Sequence, residues 1–583
     1  MDRDKNLKRK ILESIIAIKL ERKFSKDEIL DFYLNQIPYG SNAYGIESAA
    51  QTFFGKRAID LALDEAALLA SLPKATTFYS PYGNNQTALI SQQKNILRQL
   101  VTLGLADEKM IKEALGIDTL KKIIPPKKNI QAPHFVFYVK EFLEKEYGNL
   151  DLETEGLKIY TTLDYDMQRR AEESVRQGVE NNKKYGANNA SLVAISPKTG
   201  ELLAMVGSKD YFDSLIDGQV NIATSPRQPG SSFKPFAYAK AFEKGYQPET
   251  LIWDAPTNFG PDGSGKNYIP NNYNGNFSGL VSMRQALSSS LNIPAVKTLY
   301  LAGINETIDL AESLGISTLE NRSRFGLSLV LGGGEVKLLE MTSAFSVFAN
   351  DGEKNQLKVI QKITDQKGNI KKEYSNESKN VLEKEVARKI NSILSDNSAR
   401  SAVFGSNTPL AFKDYAVAAK TGTTQEFRDA WTVGYTPNIS VGVWVGNNDN
   451  TPMKYGSDGI FVAAPIWRNF LNKELPNLPK ENFGSYEKIV SSKSMITGNV
   501  SGEIKYYKIA SGKKISEDKS KKYKASEVRQ QIEPEKHSIL FYVNKDFPLG
   551  PELPNYNDPM FVRWEKGINQ DFEEGIFDFN PIN

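Results

Sequence analysis

The chain has 583 residues, 40% hydrophobic and 25% charged, which is ordinary for globular protein and enough for at least two separate cores. A formal net charge of +3 is too small to point to nucleic acid, and the absence of cysteine excludes disulfides and thiolate metal sites. His134 and His537 are the only histidines and stand far apart, so neither a Ser-His-Asp triad nor a histidine metal site has material; a nucleophilic serine would need another base, and lysine is the obvious one.

No run of 18 apolar residues occurs, and LESIIAIKL near the start is amphipathic and too short to span a membrane. Residues 1–105 read as mostly helical. Ile11, Leu12, Ile15, Ile16 and Leu20 keep helical spacing, and Ser25 with Glu28 forms a capping box before ILDFYLN. The loop QIPYGSNAYG leads to a helix from Ile46, and DEAALLASLPK ends at Pro73. Residues 106–187 read as a connector or pedestal holding a short helix, the helix FVFYVKEFLEKEYG and a polar helix near 165–182. ASLVAISPKTGELLAMVG predicts two strands around a turn at Pro197–Gly200. DYAVAAKTGTT and WTVGYTPNISVGVWVGNND predict successive antiparallel strands, with Pro437-Asn438 as one turn. Strands at both ends of residues 188–472, with helices between, predict an α+β domain whose antiparallel sheet is closed by early and late strands. Residues 473–583 turn polar and lysine-rich, with HSILFYV read as a small β segment.

The segment RQPGSSFKP carries the first chemistry. Pro229-Gly230 breaks the chain, Phe233, Phe236, Ala237 and Ala241 keep helical spacing, and Pro235 is tolerated near a helix start. Helix positions three apart share a face and positions two apart do not, so Lys234 serves Ser231 rather than Ser232. Free N–H groups at the helix start also favour negative charge developing at Ser231. Ser-x-x-Lys is nevertheless cheap, recurring at Ser91, Ser485, Ser511 and Ser516, and alone it reads as a cap beside a solvated lysine.

Penicillin-interacting enzymes add a Ser-Asp-Asn element, which Ser395-Asp396-Asn397 matches literally, and a Lys-Thr-Gly element to this pair. Of two Lys-Thr-Gly triplets, Lys198-Thr199-Gly200 lies in the hairpin turn and reads as structural. Lys420-Thr421-Gly422-Thr423 follows the apolar strand AVAA, where it offers a cation, hydroxyls and backbone N–H groups. Ser395-Asp396-Asn397 and Ser290-Leu291-Asn292 compete for the middle position, and local physics gives Ser290 only a modest edge.

With Ser231, Ser290 and Lys420 in this order, the chain resembles the transpeptidase module of class A, bifunctional penicillin-binding proteins. The likeness extends through RQPGSSFKP, ALSSSLNIPAVK, LVLGGGEVKLLEMTSAFSVFANDG and KTGTTQEFRDAWTVGYTP, over residues 188–472. In that family the middle motif precedes an NIPAV-like stretch, which favours Ser290 and Asn292. RKILE (Arg9, Lys10, Glu13), DEILDFYLNQIPYGSNAYGIESAAQTFFGK and LDEAALLASLPKATTFYSP resemble the later motifs of the family 51 peptidoglycan glycosyltransferase. The family's membrane helix, its acidic motif with the principal glutamate, and a second stretch are not found ahead of Arg9. Residues 1–105 are therefore expected to be the C-terminal part of a glycosyltransferase, inactive in glycan polymerisation as the chain stands, and residues 473–583 an accessory extension.

The resemblance implies a serine β-lactamase-like α+β fold and a DD-transpeptidase acting on stem peptides ending in D-Ala-D-Ala through an acyl-serine. It implies Ser231 as nucleophile, Lys234 as base, Ser290 as proton relay and Asn292 as holder of the peptide amide. Backbone N–H groups of Ser231 and Thr423 would form the oxyanion hole, and Lys420, Thr421, Gly422 and Thr423 would bind the terminal carboxylate that β-lactams mimic. No cofactor is expected for the transpeptidase, and nothing in the sequence supports the divalent metal that an intact glycosyltransferase would use. Stem peptides, lipid-linked precursor, β-lactams and other wall-synthesis proteins are the expected partners, with no nucleic acid. The outer face of a bacterial cytoplasmic membrane is the expected location. Asp429 and Trp431 read as architectural. The rivals are a carboxypeptidase that only trims, a non-catalytic penicillin-binding scaffold, and a β-lactamase; the last lacks a Glu-x-x-x-Asn water-activating pattern between Asn292 and Lys420.

Overall fold

The computed structural model describes residues 7–569, apart from 42, 77, 84, 126–129, 148–156, 263–264, 366, 500–501, 509–513, 524–527, 535 and 552–555; residues 7–13, 15, 502–508, 514–515, 518 and 529–534 are described by backbone alone. The chain divides into two compact units, Met1–Gln131 and Ala132–Asn583. The division falls inside 106–187, the stretch read as a connector.

The first unit is helical: α1 (Leu7–Lys23), α2 (Lys26–Gln36), α3 (Ile46–Phe54), α4 (Leu63–Ser71), α5 (Gln86–Thr102) and α6 (Glu108–Leu115). Ser25 starts α2 through the expected capping box, its Oγ accepting the Glu28 N–H at 3.2 Å while Glu28 accepts the Ser25 N–H at 2.7 Å. Phe53 and Phe54 of α3 pack with Leu68, Leu69 and Leu72 around α4. The buried Asp64 and Glu65 of α4 are each compensated, by Lys122 at 2.9 Å and Lys56 at 2.7 Å.

The second unit opens with α7 (Pro133–Tyr147) and α8 (Tyr165–Asn182) and is built on one antiparallel sheet. Strands β1 (Asn189–Ile195) and β2 (Leu202–Val206) form the predicted hairpin. Beyond them lie α9 (Lys234–Glu243), β3 (Leu251–Asp254), β4 (Gly279–Ser282), α10 (Met283–Ser288), α11 (Asn292–Ala302), α12 (Leu338–Ala349), α13 (Lys384–Leu394) and α14 (Asn397–Phe404). The late strands are β5 (Ala418–Thr423), β6 (Asp429–Thr436) and β7 (Ile439–Gly446), followed by α15 (Gly459–Val462) and α16 (Ala464–Glu474). The sheet order β5-β6-β7-β1-β2 joins early and late strands as expected.

Every residue of β1, β6 and β7 is buried, which is why these strands read as near-continuous apolar runs. The pleat divides them between two cores. Val193, Ile195, Val433 and Tyr435 face the helices α9, α12 and α13, while Leu192, Ala194, Val441 and Val443 face α8 and α16. Strand β5 is left at the sheet edge.

One local expectation is corrected. HSILFYV is not a strand: Ile539–Tyr542 forms a helical turn. The Ser538 N–H donates to Glu565 at 2.7 Å, and the His537 ring stacks on Phe541 with centroids 3.9 Å apart. These tertiary contacts, with Ile539 and Leu540 buried against the main core, override a β-prone composition.

Candidate active site

Gly230–Phe233 forms a 3-10 turn that runs directly into α9, whose first residue is Lys234. In a 3-10 turn side chains three apart eclipse, so the spacing that relates Ser231 to Lys234 is tighter than the α-helix assumed from sequence. The two serines then part company. Ser232 is fully buried and its Oγ donates to the Pro229 carbonyl at 2.7 Å, whereas Ser231 is half-buried.

Lys234 has no exposed surface. Its Nζ donates to the Ser290 carbonyl at 2.6 Å, Asn292 Oδ1 at 2.8 Å and the Leu291 carbonyl at 3.1 Å, and reaches Ser290 Oγ at 3.3 Å. Lys420 on β5 donates to the same Ser290 Oγ at 2.8 Å and to the Thr421 carbonyl at 2.9 Å. Ser290 is thus a hydroxyl bridging two buried lysines. Its φ of 58° lies in the left-handed region, where a non-glycine residue costs about 1 kcal/mol or more. No hydrogen bond joins Ser231 to Lys234 among the described residues; such contacts often tighten only once substrate is bound.

Burial, and secondarily the Lys420 charge, hold the Lys234 amine well below its ordinary range, while Asp254 pulls the other way. Burial, then Arg400, brings Lys420 down to about 7. Neutralising an ordinary lysine at pH 7 costs about 4.6 kcal/mol. Repulsion from Lys420, which shares the Ser290 hydroxyl, is only the secondary cause at Lys234. Desolvation is the leading cause for both amines.

Strand β5 meets the serine turn through glycine. A Cβ on Gly422 would lie 2.1 Å from the Pro229 carbonyl oxygen, and one on Gly230 (φ +54°) would lie 2.5 Å from that of Thr423. The Thr424 N–H bonds the Asp429 carbonyl at 3.0 Å, so by antiparallel alternation the Thr423 N–H faces the free edge. Thr421 is buried. Thr423 Oγ1 accepts the Gly459 N–H at 3.0 Å, and Asp458 bonds Tyr273 at 2.9 Å, which crosses from the Ser290 side to the Thr423 side. Burial raises the Asp458 carboxyl, while hydrogen bonds from Tyr273 and Thr423 oppose that rise. Trp431 Nε1 donates to the Gln228 carbonyl at 2.7 Å and Trp444 Nε1 to Asp429 at 2.8 Å, both architectural contacts.

The decoy motifs lie elsewhere. Lys198 pairs with Glu481 at 2.6 Å. Ser395 Oγ returns to the Asn391 carbonyl at 2.7 Å, and Asp396 caps α14 through the Ala399 N–H at 2.9 Å. Arg9, Lys10 and Glu13 fall on α1, with side chains outside the described residues. Among the described residues no three His, Asp or Glu side chains converge to hold a metal ion, and no helix is long and apolar enough to cross a membrane. Sequence reasoning missed Asn271 and Asn272, whose carbonyl and amide oxygens hold Asn292, and the buried Arg400 behind Lys420. Their only sequence signal was the pair Asn-Asn itself.

A serine on a helix start, a hydroxyl shared by two depressed lysines and a Lys-Thr-Gly edge strand define the class of serine acyltransferases that interact with penicillin. Comparison with known proteins carries this further. Residues 190–472 match the penicillin-binding protein transpeptidase domain, and residues 1–101 match the transglycosylase domain. Penicillin-binding protein 2D of Bacillus subtilis is 37% identical over 496 residues, covering 83% of this chain and 69% of that protein. Penicillin-binding protein 1A of Aquifex aeolicus is 32% identical over 571 residues, covering 83% and 76%. Among solved structures, PonA1 of Mycobacterium tuberculosis in complex with penicillin V superposes with a TM-score of 0.53 at 25% identity, covering 62% of this chain and 97% of that one. Penicillin-binding protein 1A of Haemophilus influenzae shares the fold with a TM-score of 0.58 at 23% identity, covering 84% and 91%. The chain belongs to the class A penicillin-binding proteins and is a serine-type DD-transpeptidase.

Proposed function

We propose that Ser231 Oγ attacks the penultimate carbonyl of a stem peptide ending in D-Ala-D-Ala. Neutral Lys234 takes the serine proton, and the oxyanion forms against the N–H groups of Ser231 and Thr423. As the C–N bond breaks, Ser290 passes a proton to the departing D-alanine nitrogen and is reprotonated from the lysine pair. An acceptor amine then attacks the acyl-serine by the reverse path, forming the cross-link and returning the proton through Ser290. Asn292 orients the peptide amide, Lys420, Thr421 and Thr423 take the terminal carboxylate, and Gly422 lets the strand approach. A β-lactam acylates Ser231 through the same groups.

The observation that carries this reading is Ser290 Oγ lying within hydrogen-bond reach of both Lys420 and Lys234. That geometry gives one hydroxyl both a cation to hold it and an amine to exchange protons with. The free edge of β5 suits an extended peptide adding as a further strand.

We further propose residues 1–105 as the glycosyltransferase segment with Arg9, Lys10 and Glu13 in its site, 106–187 as pedestal, 188–472 as the transpeptidase and 473–583 as an accessory extension. The proposed location is the cell envelope at the outer face of the cytoplasmic membrane, beside lipid-linked precursor and other wall-synthesis proteins. Incubation with a D-Ala-D-Ala peptide and an excess of a primary amine tests the transpeptidase reading. Mass spectrometry should find an amide to the added amine with one D-alanine released. Release of D-alanine with only hydrolysed peptide would instead leave a trimming carboxypeptidase, and rapid turnover of a chromogenic cephalosporin would indicate a β-lactamase.

A further inference from the structure

Asp254 closes strand β3 with no exposed surface, in a part of the sequence that contains none of the catalytic motifs. Its Oδ1 and Oδ2 both accept from Asn272 Nδ2 at 2.8 Å, and Oδ2 also accepts the Ser278 N–H at 2.8 Å. That bonding, with the Asn276 carbonyl accepting from the same Nδ2 at 2.9 Å, fixes the Asn272 amide, whose Oδ1 accepts the backbone N–H of Asn292 at 2.8 Å. The neighbouring Asn271 carbonyl takes Asn292 Nδ2 at 2.8 Å, which turns Asn292 Oδ1 toward Lys234 Nζ, also at 2.8 Å. A continuous hydrogen-bonded chain therefore runs from a buried carboxylate to the proposed base.

A buried carboxylate is costly unless fully satisfied, and breaking such a network leaves an uncompensated charge. Its N–H donors offset that cost at Asp254, and Lys297 faces it as a cation when protonated. Lys297 is itself buried, donates to the Trp253 carbonyl at 2.8 Å and lies 5.4 Å from the ring of Trp564, which comes from the C-terminal extension.

We infer that Asp254 is the positioning residue of the Ser-x-Asn motif, locking Asn272 so that Asn292 presents its amide oxygen to Lys234. The inference rests on the assignment of Ser231 and Lys234 as the acylating pair. Asp254 also supplies the anion that opposes the Lys420 charge at Lys234. Its other titratable neighbours are Lys297, which Glu565 also faces, and Tyr238, while Arg400 stands behind Lys420.

The test measures the rate of acylation by a fluorescent penicillin as a function of pH, on the full chain, with thermal melting in parallel. Asp254→Asn removes the charge and leaves one of the two oxygens that accept from Asn272 Nδ2, the new NH2 taking the place of the other, donor against donor. The rate should fall about 10- to 100-fold, the range typical of groups that orient reacting residues. Loss of the anion should also move the acid limb of the profile to lower pH. Asn272→Ala breaks the chain but keeps the charge, so it should lower the rate with the limb unmoved, and it serves if Asp254→Asn does not fold.

Wild-type rate and limb in Asp254→Asn, or a loss that only tracks the unfolded fraction with the limb unmoved, would overturn the relay; so would wild-type rate in Asn272→Ala. A wild-type chain that takes no label would instead remove the Ser231 reading and the relay with it.

Discussion

At the scale of single residues, burial sets the electrostatics of the site and the Lys420 charge adds to it at Lys234. The two buried amines share one hydroxyl, and the Lys420 charge is the second cause, after burial, of the depressed Lys234 amine. Acylation needs Lys234 neutral, so its rate should rise with pH through the depressed Lys234 pKa. Lys420→Met removes a charge that pushes that pKa down. The acid limb should therefore move to higher pH, opposite to the shift expected for Asp254→Asn, and an unmoved limb would contradict the coupling. The Ser231–Lys234 spacing was legible because three residues is one turn. Local grounds gave Ser290 only a modest edge over Ser395, since both lie at or just past a helix end. What distinguishes them is contact with Lys234 and Lys420, 56 and 130 residues from Ser290 along the chain. Asp254 and Asn272 carried no spacing signal at all, because their chain of hydrogen bonds is entirely tertiary.

At the scale of elements, the decisive packing is between edge strand β5 and the turn that carries Ser231. Glycine permits it on three sides, because a Cβ on Gly332 (φ +95°) would also fall 2.2 Å from the Gly230 nitrogen. Gly422→Ala would place a methyl group 2.1 Å from a backbone oxygen, which no side-chain rotation relieves. We expect penicillin acylation to fall at least 100-fold, with stability reduced by roughly 1–3 kcal/mol. Acylation at the wild-type rate would mean that the strand and the turn can separate without harm to the site. The sheet itself was readable because β1, β6 and β7 are buried on both faces and flanked by strong turns. HSILFYV was misread because Glu565, well outside any local window, binds the Ser538 N–H and holds a helical turn.

The whole molecule consists of two compact units with separate cores, one around Phe53 and Leu68 and the other spanning the sheet. Separate cores of unequal size predict two calorimetric transitions rather than one. Acylation by penicillin should raise only the transition belonging to residues 132–583, since only that unit contains Ser231. A single transition, or a shift in both, would show that the units unfold as one body. Composition already indicated more than one core, but the division after Gln131 was hidden by helical pattern on both sides of it.

Ser231 is assigned as the acylated residue, and mass spectrometry of penicillin-labelled peptides reads the position of the adduct. Ser232 gives up one buried hydrogen bond to Pro229 when changed to alanine, a loss of about 1 kcal/mol that should leave the site assembled. The adduct should fall on Ser231, be abolished in Ser231→Ala and be retained in Ser232→Ala. An adduct on Ser232, or undiminished labelling of Ser231→Ala, would contradict that assignment.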